Sequence, residues 1–377
     1  MQFLRILSAI TICFIANVTM ADATPFNEHP TLAIGSKAPD FSLPGVDGKT
    51  YTLSSFKDAK ILVIVFTCNH CPTAQAYESR IIQLVNDYKD KGVDVVAVNP
   101  NDPQSIRPDE LNFSDLGDSY DEMKIRAKEH YFNFPYLYDG ATQRMANAYG
   151  PVATPHVFIF DKDRVLRYEG RVDDQESPHK TPHVSDARNA IEALLNNRQV
   201  TVQTTKVFGC SVKWAEKRDW IEKAKKEWAQ ETVSLDTINV DGLKELARNS
   251  SKKLRLINVW ATWCGPCVGE FPDLVTINRM YRDRDFEFIS ISADMPEKKD
   301  KVLDFLRERE ASSKNYIYNG DDKYAMIEAI NHDWKGSLPF TMVVEPGGKV
   351  VYIKEGPIDA SELKKAIVED PVIGRYY

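Results

Sequence analysis

Two Cys-x-x-Cys pairs, Cys68-Asn69-His70-Cys71 and Cys264-Gly265-Pro266-Cys267, each close a β-branched apolar run and each precede residues with helical spacing. A thiolate is stabilised at a helix N-terminus, where unpaired N–H groups and the macrodipole favour negative charge. A chain that runs strand, dithiol, helix twice is therefore constrained to two α/β units in series. In each, a strand aims the cysteines and a helix acidifies them.

The periodicity around each pair supports this. Residues 61–66 form a continuous apolar run suited to a strand buried on both faces. Helical spacing follows through Ile81, Ile82, Leu84, Val85 and Tyr88 and stops at Gly92, before a second buried strand at 93–98. The two strands of such a βαβ unit are expected to be parallel. Residues 99–120, rich in Asn, Asp, Pro and Ser, read as a long loop. A helix at 120–131, a short helix ending near Gly150, a hairpin at 157–170 and a helix at 186–196 complete the first half. The second half repeats the order: strand 255–260, helix 264–283, strand 286–292, helices near 297–310 and 323–331, a hairpin at 341–353 and a helix at 359–369. Between the halves Trp214, Ile221, Ala224 and Trp228 recur at helical spacing in a stretch dense in Lys and Glu. This predicts a linker helix with one core-facing stripe.

The first 23 residues carry Arg5, an apolar core and Ala21-Asp22-Ala23, the pattern of a cleaved secretory signal peptide. The apolar run is shorter than the ~20 residues a bilayer span needs, although an uncleaved anchor is the alternative. Removal of this segment takes Cys13 with it. Of the five cysteines left, four form the two pairs and Cys210 is the remainder. An exported chain meets an oxidising compartment, so the pairs are expected to be catalytic or structural bridges. The net charge is −7 and no basic tract stands out, which argues against nucleic-acid binding. No second long apolar run follows, so no stable membrane insertion is expected after cleavage.

The segment Trp260-Ala261-Thr262-Trp263-Cys264-Gly265-Pro266-Cys267, followed about 70 residues later by Ser337-Leu338-Pro339-Phe340, resembles thioredoxin and its TlpA/ResA-type relatives. The resemblance implies that Cys264 attacks a substrate disulfide and Cys267 resolves the mixed disulfide, chemistry that needs an accessible low-pKa thiol with a second in reach. It also implies a cis bond before Pro339, beside the dithiol. Glu270 matches a glutamate that those relatives carry three residues after the second cysteine, with an expected role in acid/base control of the resolving thiol. The alternative for Glu270 is a first-turn acid favoured by the helix dipole. Thioredoxin's buried aspartate is replaced by Asn258, which shifts proton handling toward Glu270.

The first half, from Ile34 to about residue 175, resembles the redoxin superfamily, the peroxiredoxin-like or AhpC/TSA branch of the thioredoxin fold. The resemblance is carried by its opening IGSKAPDFSLPGVDGKTYTLSSF and by YGPVATPHVFIFD, which puts Pro155 at the cis-proline position. The peroxidase signature PxxxTxxC is not met. With Cys71 aligned to its cysteine, Cys68 stands in place of the threonine and Ile64 in place of the proline. The half therefore reads as a peroxiredoxin scaffold carrying thioredoxin chemistry. His70, between the cysteines as in DsbA-type oxidants, is expected to stabilise the Cys68 thiolate when protonated. Cys68, His70 and Cys71 are also soft ligands suited to copper or zinc. Sco-type copper carriers share the redoxin fold but use a wider CxxxC spacing. Cys210 is either a buried inert thiol or a third redox cysteine able to exchange with the first pair.

Taken together, the sequence predicts an α/β protein of two thioredoxin-like domains, each a central mixed β-sheet flanked by helices. The expected division is a signal peptide at 1–23, a redoxin-like domain at 32–200, a linker with an amphipathic helix at 201–231 and a TlpA/ResA-like domain at 232–377. The expected activity is thiol–disulfide exchange on protein disulfides, fed by an upstream thiol reductant, with no cofactor and no metal, in a periplasmic or other extracytoplasmic compartment. A thiol peroxidase and a copper-handling first half are the alternatives.

Overall fold

The computed structural model describes residues 29–376. The expected signal peptide and Cys13 lie outside the described residues. In the first half the elements run β1 (Ser42–Pro44), β2 (Thr50–Thr52), β3 (Ile61–Phe66), α1 (Pro72–Tyr88), β4 (Val93–Asn99), α2 (Tyr120–Glu129), β5 (Tyr136–Tyr138), α3 (Arg144–Tyr149), β6 (Ala153–Thr154), β7 (His156–Phe160), β8 (Leu166–Gly170) and α4 (Asp186–Leu195). A two-residue strand β9 (Cys210–Ser211) and helix α5 (Arg218–Trp228) follow. The second half runs β10 (Asp236–Ile238), α6 (Val240–Arg248), β11 (Leu254–Trp260), α7 (Gly265–Tyr281), β12 (Phe286–Ser292), α8 (Lys299–Glu308), β13 (Lys314–Tyr318), α9 (Lys323–Ile330), β14 (Phe340–Val344), β15 (Val350–Glu355) and α10 (Ala360–Glu369).

The two sheets share one plan. The first is ordered β5-β4-β3-β7-β8 and the second β10-β13-β12-β11-β14-β15. In each, the strand leading to the dithiol is central. β3 is parallel to β4 and antiparallel to β7, and β11 is parallel to β12 and antiparallel to β14. Every residue of β3 and β11 is buried, as continuous apolar runs require of strands covered on both faces. Apolar residues of α1 and α4 pack on one face of the first sheet and those of α3 on the other. In the second sheet α7 and α10 cover one face and α6 and α9 the other. Helix α1 ends where the sequence indicates, with a 3-10 turn leading to Gly92 in the left-handed region at φ 83°.

One region differs from expectation. The stretch read as a linker, 201–231, divides: up to Trp214 it belongs to the first half, where β9 pairs with β6 and Val212 and Trp214 join the core. A two-residue strand has no periodicity to betray it. The stripe itself is buried as expected, with α5 beginning only at Arg218. The long loop expected at 99–120 is present and closely packed. It contains a 3-10 turn at Pro108–Leu111, and its far end is wedged against the second half. There the Tyr281 hydroxyl donates to the Ser114 carbonyl at 2.8 Å, Arg284 donates to the Asn112 carbonyl at 2.7 Å, and Arg375 pairs with Asp115 at 2.9 Å. The Arg284 guanidinium lies 3.9 Å from the Phe113 ring centroid.

Candidate functional site

Each central strand delivers its cysteines to the head of a helix, but in different frames. In the second half Cys264 is the residue that caps α7, and the N–H of Cys267 points at its sulfur at 3.3 Å. In the first half the cap of α1 is Cys71, with Pro72 opening the helix, where a missing N–H costs nothing. The position one turn further in, held by Cys267 in the second half, is Ala74 here. The two motifs are offset by one Cys-x-x-Cys interval, so Cys68 lies before the helix instead of at its head.

This offset corrects the expectation that His70 supports a Cys68 thiolate. Burial opposes charge on Cys71, but hydrogen bonds from the Cys210 and Cys68 thiols, the nearby His70 charge and the Ala74 N–H together hold it well below the ordinary thiol range. Cys68 goes the other way: burial, its hydrogen bond to Cys71 and the Asp118 charge push it well up. The sulfur at the helix N-terminus is the acidic one, and His70 acts on that sulfur.

His70 is itself set by a residue that no motif announces. Its Nδ1 lies 2.7 Å from Asp118 Oδ2, and both side chains are buried. Burial disfavours the imidazolium, yet the Asp118 charge and hydrogen bond raise the His70 pKa, while Asp118 is lowered against its own burial by His70, Asn101 and the Asn69 N–H. Asp118 also accepts from the Asn69 N–H at 2.8 Å and from Asn101 Nδ2 at 2.7 Å. It thereby ties the tip of the motif to the long polar loop. Asn69 is held further by Gly117 and Tyr136.

Thr154 lies against both sulfurs. Its hydroxyl is 3.1 Å from Cys68 Sγ, and its carbonyl accepts from Cys71 Sγ at 3.4 Å. The Thr154–Pro155 and Leu338–Pro339 peptide bonds are both cis, at the two prolines singled out from the sequence. Cys210 is half-buried, and its N–H donates to Cys71 Sγ at 3.3 Å. Cys68, Cys71 and Cys210 thus form one cluster of free thiols. Ligand atoms of Cys68, His70 and Asp118 also lie within 4.8 Å of one another, and His70 Nε2 has no hydrogen-bond partner among the described residues. Both Asp118 oxygens, however, are already engaged, and so is each sulfur. The three side chains are thus members of one hydrogen-bonded thiol centre.

In the second half Cys264 and Cys267 are joined by a disulfide. Cys264 is buried, and the preceding Trp263 is 68% exposed. Glu270, one turn beyond Cys267, is buried, and its carboxylate accepts from Asn258 Nδ2 at 3.0 Å and from the Ile358 N–H at 2.8 Å. Burial outweighs these bonds and raises its pKa. An acid whose folded pKa is raised loses stability as pH climbs from its unfolded value, 4.5, through the folded one. Glu270→Gln is therefore expected to be no less stable than the parent at pH 7 and indistinguishable from it near pH 4, while the resolving step slows. Urea unfolding at both pH values, with stopped-flow decay of a trapped mixed disulfide, checks both halves of this expectation. A variant destabilised equally at the two pH values would show Glu270 to be a packing residue instead.

Of the residues chosen from sequence, the structure gathers Cys68, His70, Cys71, Pro155 and Cys210 at one site and Cys264, Cys267, Glu270 and Pro339 at another. Asp118, Asn101 and Thr154 were missed. The first two sit in loop composition without a pattern; Thr154 was marked only by its neighbour Pro155.

Residues 34–169 match the AhpC/TSA family and residues 229–367 match Redoxin. The chain is 26% identical over 137 residues to the thiol-disulfide oxidoreductase ResA of a Bacillus cereus strain, covering 34% of this chain and 70% of that one. Among solved structures, an uncharacterized conserved protein from Geobacillus kaustophilus is 39% identical, covering 48% of this chain and 92% of its own, with a TM-score of 0.43. A hypothetical protein from Sinorhizobium meliloti 1021 is 33% identical, covering 49% and 97%, with a TM-score of 0.44.

Proposed function

Because the chain is a tandem thioredoxin-fold protein, an AhpC/TSA-type half followed by a redoxin-type half, we propose that it is a thiol–disulfide oxidoreductase working through two separate thiol centres on exported proteins. The observation that carries the reading is the second centre: a disulfide at the head of α7, beside the cis bond to Pro339 and an exposed Trp263. When this centre is reduced, Cys264 as thiolate attacks a sulfur of a substrate disulfide and expels the other sulfur as thiolate. Cys267 then loses its proton, attacks Cys264 and releases the substrate as a dithiol. Glu270, one turn further along α7, takes that proton in this reading. The resulting Cys264–Cys267 disulfide is re-reduced by an upstream dithiol.

At the first centre Cys71 is the reactive sulfur and Cys68 its neighbour in the motif; hydrogen bonds from the Cys210 and Cys68 thiols and the His70 charge, which Asp118 favours, lower its pKa against burial. An electron relay between centres is constrained by the packing. The first centre adjoins the Tyr281 end of α7 through Ser114, whereas Cys264 is at the other end, about 25 Å away for a helix of 17 residues. A relay between the centres in this arrangement therefore requires a second molecule of the protein or a diffusible dithiol. Export fits the leader-like N-terminus; among the described residues no helix is long and apolar enough to cross a membrane.

The test is reduction of a protein disulfide such as insulin's, with dithiothreitol as donor, by the whole protein and by Cys264→Ser. We expect the variant to lose at least about a hundredfold in rate, because the attacking thiolate is gone. Full activity in Cys264→Ser would overturn the assignment and place the chemistry in the first half.

A further inference from the structure

The two halves differ in what lies along the edge before the cis-proline. In the second half Ser337 is exposed and Leu338 half-exposed, and among the described residues no strand pairs with them. In the first half the matching residues are β6, Ala153 and Thr154, both buried, and the edge is filled: β9 pairs with β6 antiparallel, with Cys210 opposite Thr154. Gly209 permits that approach. A Cβ there would stand 2.0 Å from the Thr154 carbonyl oxygen, and its φ of +143° favours glycine. The strand is anchored beyond the site as well, where the Lys213 N–H donates to Asn101 Oδ1 at 2.9 Å and Asp102 N–H to the Lys213 carbonyl at 2.9 Å. Cys71 is fully buried and Cys68 2% exposed, while Cys210 is partly exposed and touches Cys71.

We propose that the first half carries its own exchange partner: β9 lies in the groove beside Pro155 as an internal substrate strand, and the working couple there is a Cys71–Cys210 disulfide and dithiol, with Cys210 the sulfur that other proteins reach. This rests on the reading of Cys71 as the reactive sulfur. It accounts for Ala74 standing where the second half keeps its resolving cysteine, since the second thiol arrives from another segment. The partner is a protein dithiol of the Cys-x-x-Cys type. Its thiolate attacks Cys210 of the oxidised couple, the Cys71–Cys210 bond breaks, and Cys71 leaves as thiolate; low-pKa sulfurs leave fastest. The partner's second thiol loses a proton and attacks its own sulfur in the mixed disulfide, releasing Cys210, which takes up a proton. Two electrons enter the couple, one partner disulfide forms, and the proton the partner gave up to become a thiolate stays in solvent. The reverse sequence passes electrons to a partner disulfide. The first half is thus closed to substrate strands and the second open, so only the second reads substrate sequence.

The experiment uses the full chain with Cys264→Ser and Cys267→Ser silencing the second centre. This parent, a version with Cys68→Ser added and one with Cys210→Ser added are equilibrated in oxidised glutathione, acid-quenched, alkylated and mapped as non-reduced peptides. The oxidised forms are then reduced by thioredoxin as the dithiol. The expected result is a Cys71–Cys210 linked peptide in the parent, persisting with Cys68→Ser, and reduction of the Cys210→Ser version slowed at least about tenfold for want of a reachable sulfur. A Cys68–Cys71 link in the parent with Cys210 alkylated throughout, reduced equally fast in Cys210→Ser, overturns the inference while leaving Cys71 a redox thiol. Absence of any disulfide in all three proteins overturns both.

Discussion

Asp118→Asn is expected to disarm the first thiol centre and to cost about 3–5 kcal/mol, the range for removing one partner of a buried ion pair. The side chain keeps its shape but loses the charge that, against burial, favours the imidazolium form of His70. With the His70 charge disfavoured, one of the groups that offset the burial of the Cys71 thiolate is weakened, so the Cys71 pKa rises and its alkylation at pH 7 slows. The pH dependence distinguishes this from loss of packing. His70 has a raised folded pKa, so its contribution is complete below its unfolded value of 6.5 and fades as pH rises through the folded value. Asp118 has a lowered one, so its contribution is complete above 3.8 and fades as pH falls through the folded value. The stability gap between parent and Asp118→Asn should therefore be widest between pH 3.8 and 6.5 and narrow on either side. Thermal unfolding across pH, with Cys71 alkylation rates followed by mass spectrometry, reads both effects. A gap that does not vary with pH would mean that Asp118 serves only as a hydrogen-bond acceptor for the loop.

The same substitution reaches beyond the site. Asp118 is four residues from Ser114 and three from Asp115, whose contacts with Tyr281 and Arg375 join the halves. The loop at 99–118 thus meets the thiol centre at Asn101 and Asp118 and the domain interface at residues 112–115, so the protonation of His70 and the seating of the second half act on one segment.

Sequence pattern reached the elements whose period is set by burial. The fully buried β3 and β11, the long α1 and α7 and the hairpins of β7–β8 and β14–β15 all announce themselves, because a strand covered on both faces must be apolar throughout and a helix on a sheet must be apolar on one stripe. The pattern failed where structure is made by single contacts. β9 exists because Gly209 allows two residues to lie against Thr154, and Asp118 matters because the chain folds back over a distance of 48 residues to His70. The frame of the motif was equally hidden. Whether α1 starts after Cys68 or after Cys71 is decided by Pro72, which cannot donate within a helix but serves as its first residue. Gly265 and Pro266 start α7 one interval earlier relative to their cysteines. Identical spacing thus produced two different thiol centres.

That difference predicts the consequence of forcing β9 out of its groove. Gly209→Ala puts a methyl 2.0 Å from the Thr154 carbonyl oxygen, closer than any real Cβ contact, on a backbone conformation that L-residues rarely adopt. The obstacle is main chain that runs through the cis bond to Pro155 straight into β7, every residue of which is buried in the first sheet, so the strand at 210–211 is the part that yields. With it go the Cys210 N–H on Cys71 and the cover over Thr154, at a cost of about 2–4 kcal/mol. The sulfur beneath is then exposed, while Asp118 keeps its bonds to His70 and the Asn69 N–H, neither of which runs through residues 209–211. Alkylation of Cys71 in native buffer should accelerate by at least about tenfold, and the first half should begin to reduce insulin in a Cys264→Ser background, since an empty edge beside Pro155 can accept a substrate strand. Loss of stability without faster Cys71 alkylation would show that β9 is a structural clasp whose removal leaves the thiol buried. Faster alkylation together with new reductase activity would show that a single added methyl converts the closed centre into the open kind found in the second half.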